Sequence, residues 1–290
     1  MKRSLWIAAL LGTLLGALCG LVPACAGYSE FIIENDYLAP RNHDRWYTDG
    51  WRLSYSESYK GSDIYYIGQH MYTPDDTGNP NYIPTDRRYG GWLYGGIRSF
   101  VDWGGTWFTY DVNIGVIGKY SYSEETQKLI HRALGCGQPM GWDHQIPSRF
   151  AFQFAYNQYL WDIKYDYAVL ALGCDLAVGN VVTSVGLGAY ARVGLNPDTV
   201  RTPFNTISVK SNRWRLYLEC SVVSRRVFYD VFIWESDVKA VDYVTDGNVN
   251  LTLETPYRYA LFYGYTYRTR QFETQKEPAQ FGAVGIRVNY

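Results

Sequence analysis

The sequence predicts an all-β protein: a transmembrane β-barrel of twelve antiparallel strands with a short helix in an extracellular loop. Three observations support this fold class. Aromatic residues make up 17% of the 290 residues, which is high for a cytosolic domain. Apolar residues alternate with small or polar ones along the chain, as in strands with one face on lipid and the other on a polar lumen. No apolar stretch after residue 23 is long enough for a transmembrane helix.

Residues 1–26 are predicted to be a cleaved signal peptide. Two basic residues precede an apolar run over 5–22, and a small-x-small cleavage pattern follows at 24–26. A retained N-terminal helix is the alternative. Cleavage would leave residues 27–290 as one exported barrel domain.

The charges of the chain nearly cancel, with 27 basic and 28 acidic side chains. No field over the whole molecule would therefore attract nucleic acid, and no such partner is expected. Three cysteines remain after the signal peptide: Cys136, Cys174 and Cys220. Their odd number and their spacing indicate neither a disulfide framework nor a zinc site.

Alternation is clearest from Tyr257 to Arg270, where odd positions up to Tyr267 carry Tyr or Leu and even positions mostly carry small or polar residues. The segments 150–157, 181–193 and 283–290 repeat the pattern, and the last of them ends on an aromatic residue. A soluble β-sandwich is the alternative for such alternation. It would not need tyrosine at lipid-facing positions in strand after strand.

Thirteen segments are candidate strands: 28–36, 46–57, 63–72, 88–99, 105–117, 148–161, 165–176, 180–194, 212–223, 226–235, 241–254, 257–271 and 280–290. A bacterial barrel needs an even number, with its long loops outside the cell. Because thirteen strands would place the long 195–211 connection in the periplasm, 165–176 is interpreted as an extended turn. Twelve strands remain, and 37–45, 73–87, 118–147, 195–211, 236–240 and 272–279 become outer connections.

The connection 118–147 contains a helix signal. Ser123 is the predicted N-cap, two glutamates follow it, and Gly135 is the stop signal. A helix from Thr126 to Leu134 is therefore expected. Gln127 and His131 would share one face of it, since they are four residues apart.

Polar residues at the predicted outer strand ends converge on the same mouth as His131: Asn35, Asp36, Asp44, Tyr47, Thr48, Asp86, Arg87 and Arg88. They supply the parts of an ester hydrolase: an imidazole to activate water, carboxylates and amides for a hard cation, and donors for an oxyanion. The guanidinium groups suit phosphate. A solvated loop histidine is the alternative for His131.

Two points qualify this set. Asn35 and Asp36 are neighbours and should face opposite sides of a regular strand, so a bulge or the strand's end is expected there. The chain has no Gly-x-Ser-x-Gly elbow, which disfavours a covalent serine mechanism.

Motifs in order along the chain are Glu34-Asn35-Asp36, Asp44-Arg45-x-Tyr47-Thr48-x-Gly50, Gly68-Gln69-x-x-Tyr72-Thr73-Pro74, Asp86-Arg87-x-Tyr89-Gly90-Gly91, Gly115-Val116-x-Gly118, Gln127-x-x-x-His131, Gly141-Trp142-Asp143-x-Gln145 and Arg268-Thr269-Arg270-x-Phe272-Glu273. Through them the chain resembles the lipid A 3′-O-deacylase (LpxR-like) family of outer-membrane barrels. The pattern departs from that family at Arg88, where proline is expected, and at Asp49, where asparagine is usual. Both departures bear on substrate choice.

The resemblance implies a calcium-dependent esterase that removes the 3′ acyloxyacyl group of lipid A in the outer leaflet, with its site facing outside. By motif, His131 is the base that activates water, and Asp36 is a partner of calcium or of the histidine. Asn35, Thr48 and Gln127 are donors or ligands, with Asn35 and Asp36 as candidate Ca²⁺ ligands, and Arg87 with Arg88 contacts phosphate. A monomer in the outer membrane is expected.

Two other functions remain open. The chain could be a non-catalytic barrel, either a small porin or a structural protein, because fold does not fix function. It could also be a surface phospholipase that uses the same water-activating site. The hydrolase hypothesis predicts that His43, His70 and His144 tolerate substitution much better than His131 does.

Overall fold

The computed structural model describes residues 27–40, 45–57, 63–103, 106–195, 213–256 and 259–290. The predicted signal peptide lies outside these described residues. None of the described helices is long and apolar enough to cross a membrane.

Twelve antiparallel strands close into one barrel in sequence order, as predicted. The strands are β1 (Tyr28–Asn35), β2 (Trp46–Ser56), β3 (Asp63–Thr73), β4 (Gly90–Trp103), β5 (Thr106–Ile117), β6 (Arg149–Tyr165), β7 (Ala168–Gly179), β8 (Val182–Leu195), β9 (Arg215–Asp230), β10 (Tyr243–Glu254), β11 (Tyr259–Arg268) and β12 (Ala279–Asn289). Closure pairs Tyr28 with Asn289 and Asn35 with Gly282. We call the end of the barrel that carries Tyr28 and Asn289 the terminus end, and the opposite end the loop end.

The interpretation of 165–176 as an extended turn is wrong, because this segment falls largely in β7. That strand pairs with β6 on one side and β8 on the other. Its even residues are apolar and exposed, as Leu170 and Leu172 show. The alternation in 165–176 indicates a strand, whereas the expectation that every long connection lies outside the cell indicates a turn and is wrong for this segment.

The separate strands 212–223 and 226–235 are also wrong, because they form the single strand β9 followed by the helical turn α2 (Val231–Trp234). Arg225 interrupts the apolar pattern in the sequence, yet it does not break the strand. It points into the lumen, where its Nε atom lies 2.8 Å from Asp175 and its Nη1 atom 2.9 Å from Asp246. The two errors compensate, so the strand count was right.

The correction moves the 195–211 connection to the terminus end. The strands that it joins, β8 and β9, end there at Leu195 and Arg215. The prediction that this connection shares the helix end of the barrel is therefore wrong. Residues 196–212 themselves lie outside the described chain.

The lumen near the terminus end is filled with ion pairs. Arg215 lies 3.0 Å from Glu254, and Arg287 lies 2.5 Å from Glu30. Arg192 on β8 pairs with Glu219 on β9, next to the Arg215–Glu254 pair. Buried charges of this kind persist because each guanidinium faces a carboxylate.

Toward the loop end the lumen is closed by apolar side chains. The turn α2 begins at Asp230, whose Oδ1 atom accepts a hydrogen bond of 2.9 Å from the backbone N–H of Phe232. Phe232 packs on Tyr72 with a ring-centroid distance of 4.1 Å, within a buried cluster that includes Trp92 and Tyr94. Thus α2 covers the inside of the mouth.

The helix of the long connection is α1 (Ser123–Leu134), which begins three residues before the predicted Thr126 and includes Ser123, the predicted N-cap. Tyr122 is the cap residue, with a left-handed φ of 56°, and the Oγ atom of Ser123 instead accepts a 3.0 Å hydrogen bond from Ser121. Gly135 ends the helix with a φ of 67°, as predicted.

Candidate functional site

Helix α1 packs on the outer surface of the barrel wall, not over the lumen. Gln69 points outward on β3, and its Nε2 atom donates a 2.6 Å hydrogen bond to the carbonyl of Ser121. Gly91 on β4 makes the close approach possible, because a Cβ atom there would lie 1.9 Å from the Oγ atom of Ser123. The start of α1 is therefore fixed against β3 and β4.

A cavity of about 550 Å³ lies between α1 and the loop ends of β1 and β2. Five of the seven predicted site residues line it: Asn35, Asp36, Thr48, Gln127 and His131. The rest of the lining comprises Tyr37, Asp49, Thr77, Gly78, Ile130, Leu134 and residues 135–138. The roles of these residues stay predictions, but the structure brings this set together.

The end of β1 resolves the conflict between Asn35 and Asp36. Asn35 is the last residue of β1, and Asp36 begins the 3-10 helix Asp36–Leu38. The Oδ1 atom of Asn35 caps that helix by accepting a 2.8 Å hydrogen bond from the N–H of Tyr37. Both side chains can therefore face the cavity, although they are neighbours.

A register shift in β2 turns a second pair of neighbours toward the cavity. The pairing with β3 skips from Tyr47 to Asp49 and leaves Thr48 as the extra residue. Thr48 is 2.7 Å from the hydroxyl of Thr73, and Asp49 accepts a 3.2 Å hydrogen bond from the Nδ2 atom of Asn35. Asp49 therefore contributes a carboxylate that the predicted site did not include.

Gln127 presents a hydrogen-bond donor in the buried part of the site. The indole N–H of Trp142 donates to its Oε1 atom at 2.8 Å, and because indole can only donate, this contact fixes the orientation of the amide. The Nε2 atom then points away from Trp142. It is buried and has no hydrogen-bond partner among the described residues. A donor placed in this way suits an oxygen atom of a ligand.

The tautomer of His131 is set by a backbone contact. Its Nδ1 atom hydrogen-bonds to the carbonyl oxygen of Gly137, and a carbonyl can only accept. Nδ1 therefore carries the hydrogen and Nε2 carries the lone pair in the neutral ring. This is the tautomer in which Nε2 can accept a proton.

Arg45 links the site to the 74–89 and 269–278 connections at the loop end. Its backbone N–H donates a 2.9 Å hydrogen bond to the Oδ2 atom of Asp36. Its guanidinium lies 3.1 Å from Asp75 and 2.6 Å from Glu277, and it stacks over Trp46 at 4.4 Å. The donor to Asp36 is thus held by charges of the 74–89 and 269–278 connections.

Asp75 is the anchor of the 74–89 connection, which supplies Thr77 and Gly78 to the cavity wall. Its backbone N–H donates to the Oδ2 atom of Asp86 at 2.8 Å, and Lys276 lies 2.9 Å from its carboxylate. Partial burial acts to raise the pKa of Asp75, but hydrogen bonds from Lys276 and Arg45 outweigh it and hold the pKa below its usual value.

The structure does not bring Arg87 and Arg88 to the cavity. Arg87 is buried on the lumen side of the wall, where it stacks over Tyr72 at 4.5 Å and donates to Gln271 at 3.2 Å. Arg88 is half-buried above the mouth, stacked over Tyr82 and 3.7 Å from Asp237. A phosphate contact stays a prediction for both, and it would occur across the wall from His131.

The other histidines are elsewhere. His70 points into the lumen, where its Nε2 atom is 3.0 Å from the hydroxyl of Tyr94. His144 lies in the short helix Trp142–His144 beside Tyr82, and His43 falls outside the described residues. Among the described histidines, only His131 lines the cavity.

Sequence reasoning missed the apolar wall of the cavity. Ile130 and Leu134 share the helix face of Gln127 and His131, at spacings of three and four residues. A full helical-face analysis of 123–134 would have found them. Asp49 had a signal too, since a carboxylate at an outward strand position would otherwise face lipid.

A closed barrel with apolar outward faces and even strand number defines the class of bacterial outer-membrane β-barrels. A sequence profile described as "Outer membrane protein LpxR" matches residues 7–290. The chain therefore belongs to the LpxR family, and it is an outer-membrane protein.

One similar solved structure supports the fold. The chain is similar to LpxR from Salmonella typhimurium at 19% identity and a TM-score of 0.79, over 91% of this chain and 100% of that one. The β domain of the Bordetella autotransporter BrkA gives 9% identity and a TM-score of 0.46, over 92% and 100%. The KdgM porin gives 7% and 0.43, over 91% and 99%. No curated protein matches the sequence.

Proposed function

We propose that this protein is a lipid A deacylase that removes the 3′-linked acyloxyacyl group with water activated by His131. One observation carries the proposal: a cavity on the outer wall whose lining combines polar side chains with apolar ones. Asn35, Asp36 and His131 are among the polar residues, and Ile130 and Leu134 are among the apolar ones. A lipid ester could therefore enter from the membrane without passing through the lumen.

The polar side chains of the cavity supply the groups that ester hydrolysis needs. As the water oxygen bonds to the ester carbonyl carbon, its proton passes to the Nε2 atom of His131. The Nε2 donor of Gln127 stabilises the negative charge that develops on the carbonyl oxygen. The carbon–oxygen bond to the sugar then breaks, the sugar oxygen takes the proton from His131, and a free fatty acid leaves.

Calcium fits the donor set of the cavity. Asp36 and Asp49 offer carboxylate oxygens, with Asn35 and Thr48 beside them, and Ca²⁺ prefers such oxygen ligands. The described residues contain no cluster of three or more His, Cys, Asp or Glu side chains that could hold a metal ion, so the oxygens of Asn35 and Thr48 would have to complete the ligand set. When bound, the ion would offset negative charge near the ester carbonyl.

Chelation should then abolish hydrolysis and added calcium should restore it. Full activity in excess chelator would show that the reaction does not need the metal.

Mass spectrometry of lipid A from cells that express the wild-type chain, His131→Ala or His144→Ala tests the proposal. We expect loss of one acyloxyacyl unit with the wild type and with His144→Ala, and intact lipid A with His131→Ala. His144 is the matched control because it lies outside the cavity. Intact lipid A together with lysophospholipid would assign the site to a phospholipase. The absence of both products would indicate a non-catalytic barrel.

A further inference from the structure

The outward face of β8, β9 and β10 contains an apolar groove of about 640 Å³. Strand register explains its shape. Two rows of paired outward residues cross the strands: Leu172, Ala189, Val222, Gly247 and Tyr267 in one, and Leu170, Ala191, Cys220, Val249 and Tyr265 in the other. Each row has large side chains at its ends and smaller ones between them. The centre of the face is therefore concave.

Polar groups lie directly above this groove, toward the loop end. Ser224 and Thr245 are paired across β9 and β10, and their hydroxyls are 3.0 Å apart. Arg226 follows two residues later on the same outward face, exposed and stacked over Phe228 at 5.1 Å. Within the described chain Arg226 forms no salt bridge. It lies four residues from Val222, roughly 13 Å along the strand at about 3.3 Å per residue.

We propose that this face binds one phosphate-bearing membrane lipid, with its phosphate on Arg226 and an acyl chain in the groove. Because the chain is an outer-membrane protein, its outward face lies in lipid. A guanidinium on that face is stabilised by an anion, and it binds phosphate oxygens in a bidentate manner. The small residues of the groove leave space in which a flexible acyl chain can form dispersion contacts. The order of charge above groove matches the order of headgroup above tail.

The site is separate from the cavity beside α1. The cavity lies at β1 and β2, and β9, which carries Arg226, is four strands from β1 in the barrel order. A lipid bound here would therefore not occupy the hydrolytic cavity. The proposal goes beyond the hydrolase function and does not depend on it.

Native mass spectrometry of the purified, folded barrel tests the groove. The barrel is incubated with phosphatidylglycerol, and separately with diacylglycerol that carries the same acyl chains. Gly247→Phe fills the groove, since a Cβ atom there would meet nothing closer than 4.0 Å. Gly95→Phe is the matched control at another outward glycine, where the nearest atom would lie at 3.6 Å. We expect Gly247→Phe to lower the retention of both lipids at least about fivefold, the effect of displacing one or two buried CH₂ groups. Gly95→Phe should retain them as the wild type does.

Arg226→Gln tests the phosphate contact. It should lower retention of phosphatidylglycerol about tenfold, as loss of a charge-assisted contact predicts, and leave diacylglycerol unchanged. Lys239→Gln, at an exposed lysine away from the groove, is the charge control. Lipid bound in the α1 cavity is common to all variants, so the differences report this face alone. Lipid A deacylation should be the same in every variant.

Several results would overturn the proposal. Equal lipid retention by Gly247→Phe and Gly95→Phe would show that the groove does not bind the acyl chain. Equal loss of both lipids in Arg226→Gln would show that Arg226 does not bind the phosphate. A wild-type dimer that Gly247→Phe dissociates would assign the face to a second copy of the chain. If Gly247→Phe does not give a folded, heat-modifiable barrel, Ala189→Phe takes its place under the same criteria.

Discussion

Glu34 and Asn35 are neighbours in sequence, yet they lie on opposite sides of the barrel wall. Glu34 points into the lumen, where it accepts a hydrogen bond from the hydroxyl of Tyr47, and His70 lies close by. Asn35 points outward and lines the cavity beside α1. Inner polar groups such as Glu34 and Tyr47 pair with one another, whereas the outer ones surround space for a ligand. Polarity alone therefore does not mark the site; polarity on the lipid-facing side does.

The strongest test of this comparison sets one histidine from each side against the other. His131→Ala should lower the rate of deacylation at least ~10²-fold, because it removes the general base. His70→Ala removes a luminal hydrogen bond and should leave most of the activity. The rate on purified lipid A is the measurement, with heat-modifiability as the check on folding. Near-normal activity of folded His131→Ala would show that His131 is not the general base. Equal losses of activity in both variants would show that the outer and luminal histidines do not differ in function.

Gln127→Glu isolates the donor on the outer side. The substituted carboxylate can still accept from the indole of Trp142, but it has no N–H to offer the developing oxyanion. We expect kcat to fall by about 10²-fold, as for other oxyanion donors, with a smaller change in KM. Kinetics at saturating lipid A measure this. A change in KM alone would show that Gln127 binds substrate and does not stabilise the transition state.

Arg45→Ala examines how the outer site is held. Without the guanidinium, the backbone N–H that donates to Asp36 loses its anchors at Asp75 and Glu277. We expect kcat to fall by about tenfold, the scale of one charge-assisted contact, at nearly constant KM. Arg149→Ala is the control, because it breaks a 2.5 Å ion pair with Glu235 away from the cavity. Equal effects of the two substitutions would indicate general loosening of the loops.

The smallest expected effect is a pH dependence at Asp75. Its pKa is lower in the folded state than in the unfolded chain. Its stabilising contribution is therefore fully present above the unfolded value of about 3.9 and is lost as the pH falls through the lower folded value. Hydrogen exchange in residues 74–89 should rise below about pH 4 in the wild type. Asp75→Asn should exchange faster already at neutral pH, and the same profile in both would show that the carboxylate contributes nothing.

The fold was predictable because alternation is local and recurs in each strand. The strand boundaries around Arg225 were not, because the partners that keep this arginine in the lumen belong to β7 and β10. Five site residues followed from motifs, and Ile130 and Leu134 could have followed from helix spacing. The sequence could not predict on which side of the barrel wall the site lies. That depends on the register shift at Thr48 and on how α1 packs against Gly91.

The pairing of β1 with β12 also bears on when the site can exist. Asn35 lies opposite Gly282, and a Cβ atom at Gly282 would lie 2.6 Å from that of Leu38, in the 3-10 helix that begins at Asp36. The end of β1 thus takes its place at the cavity only when it pairs with β12. A chain whose β1–β12 seam is still open would lack this arrangement. Hydrolytic activity would therefore require barrel closure. The protein would be inactive until it has folded in the membrane that contains its substrate.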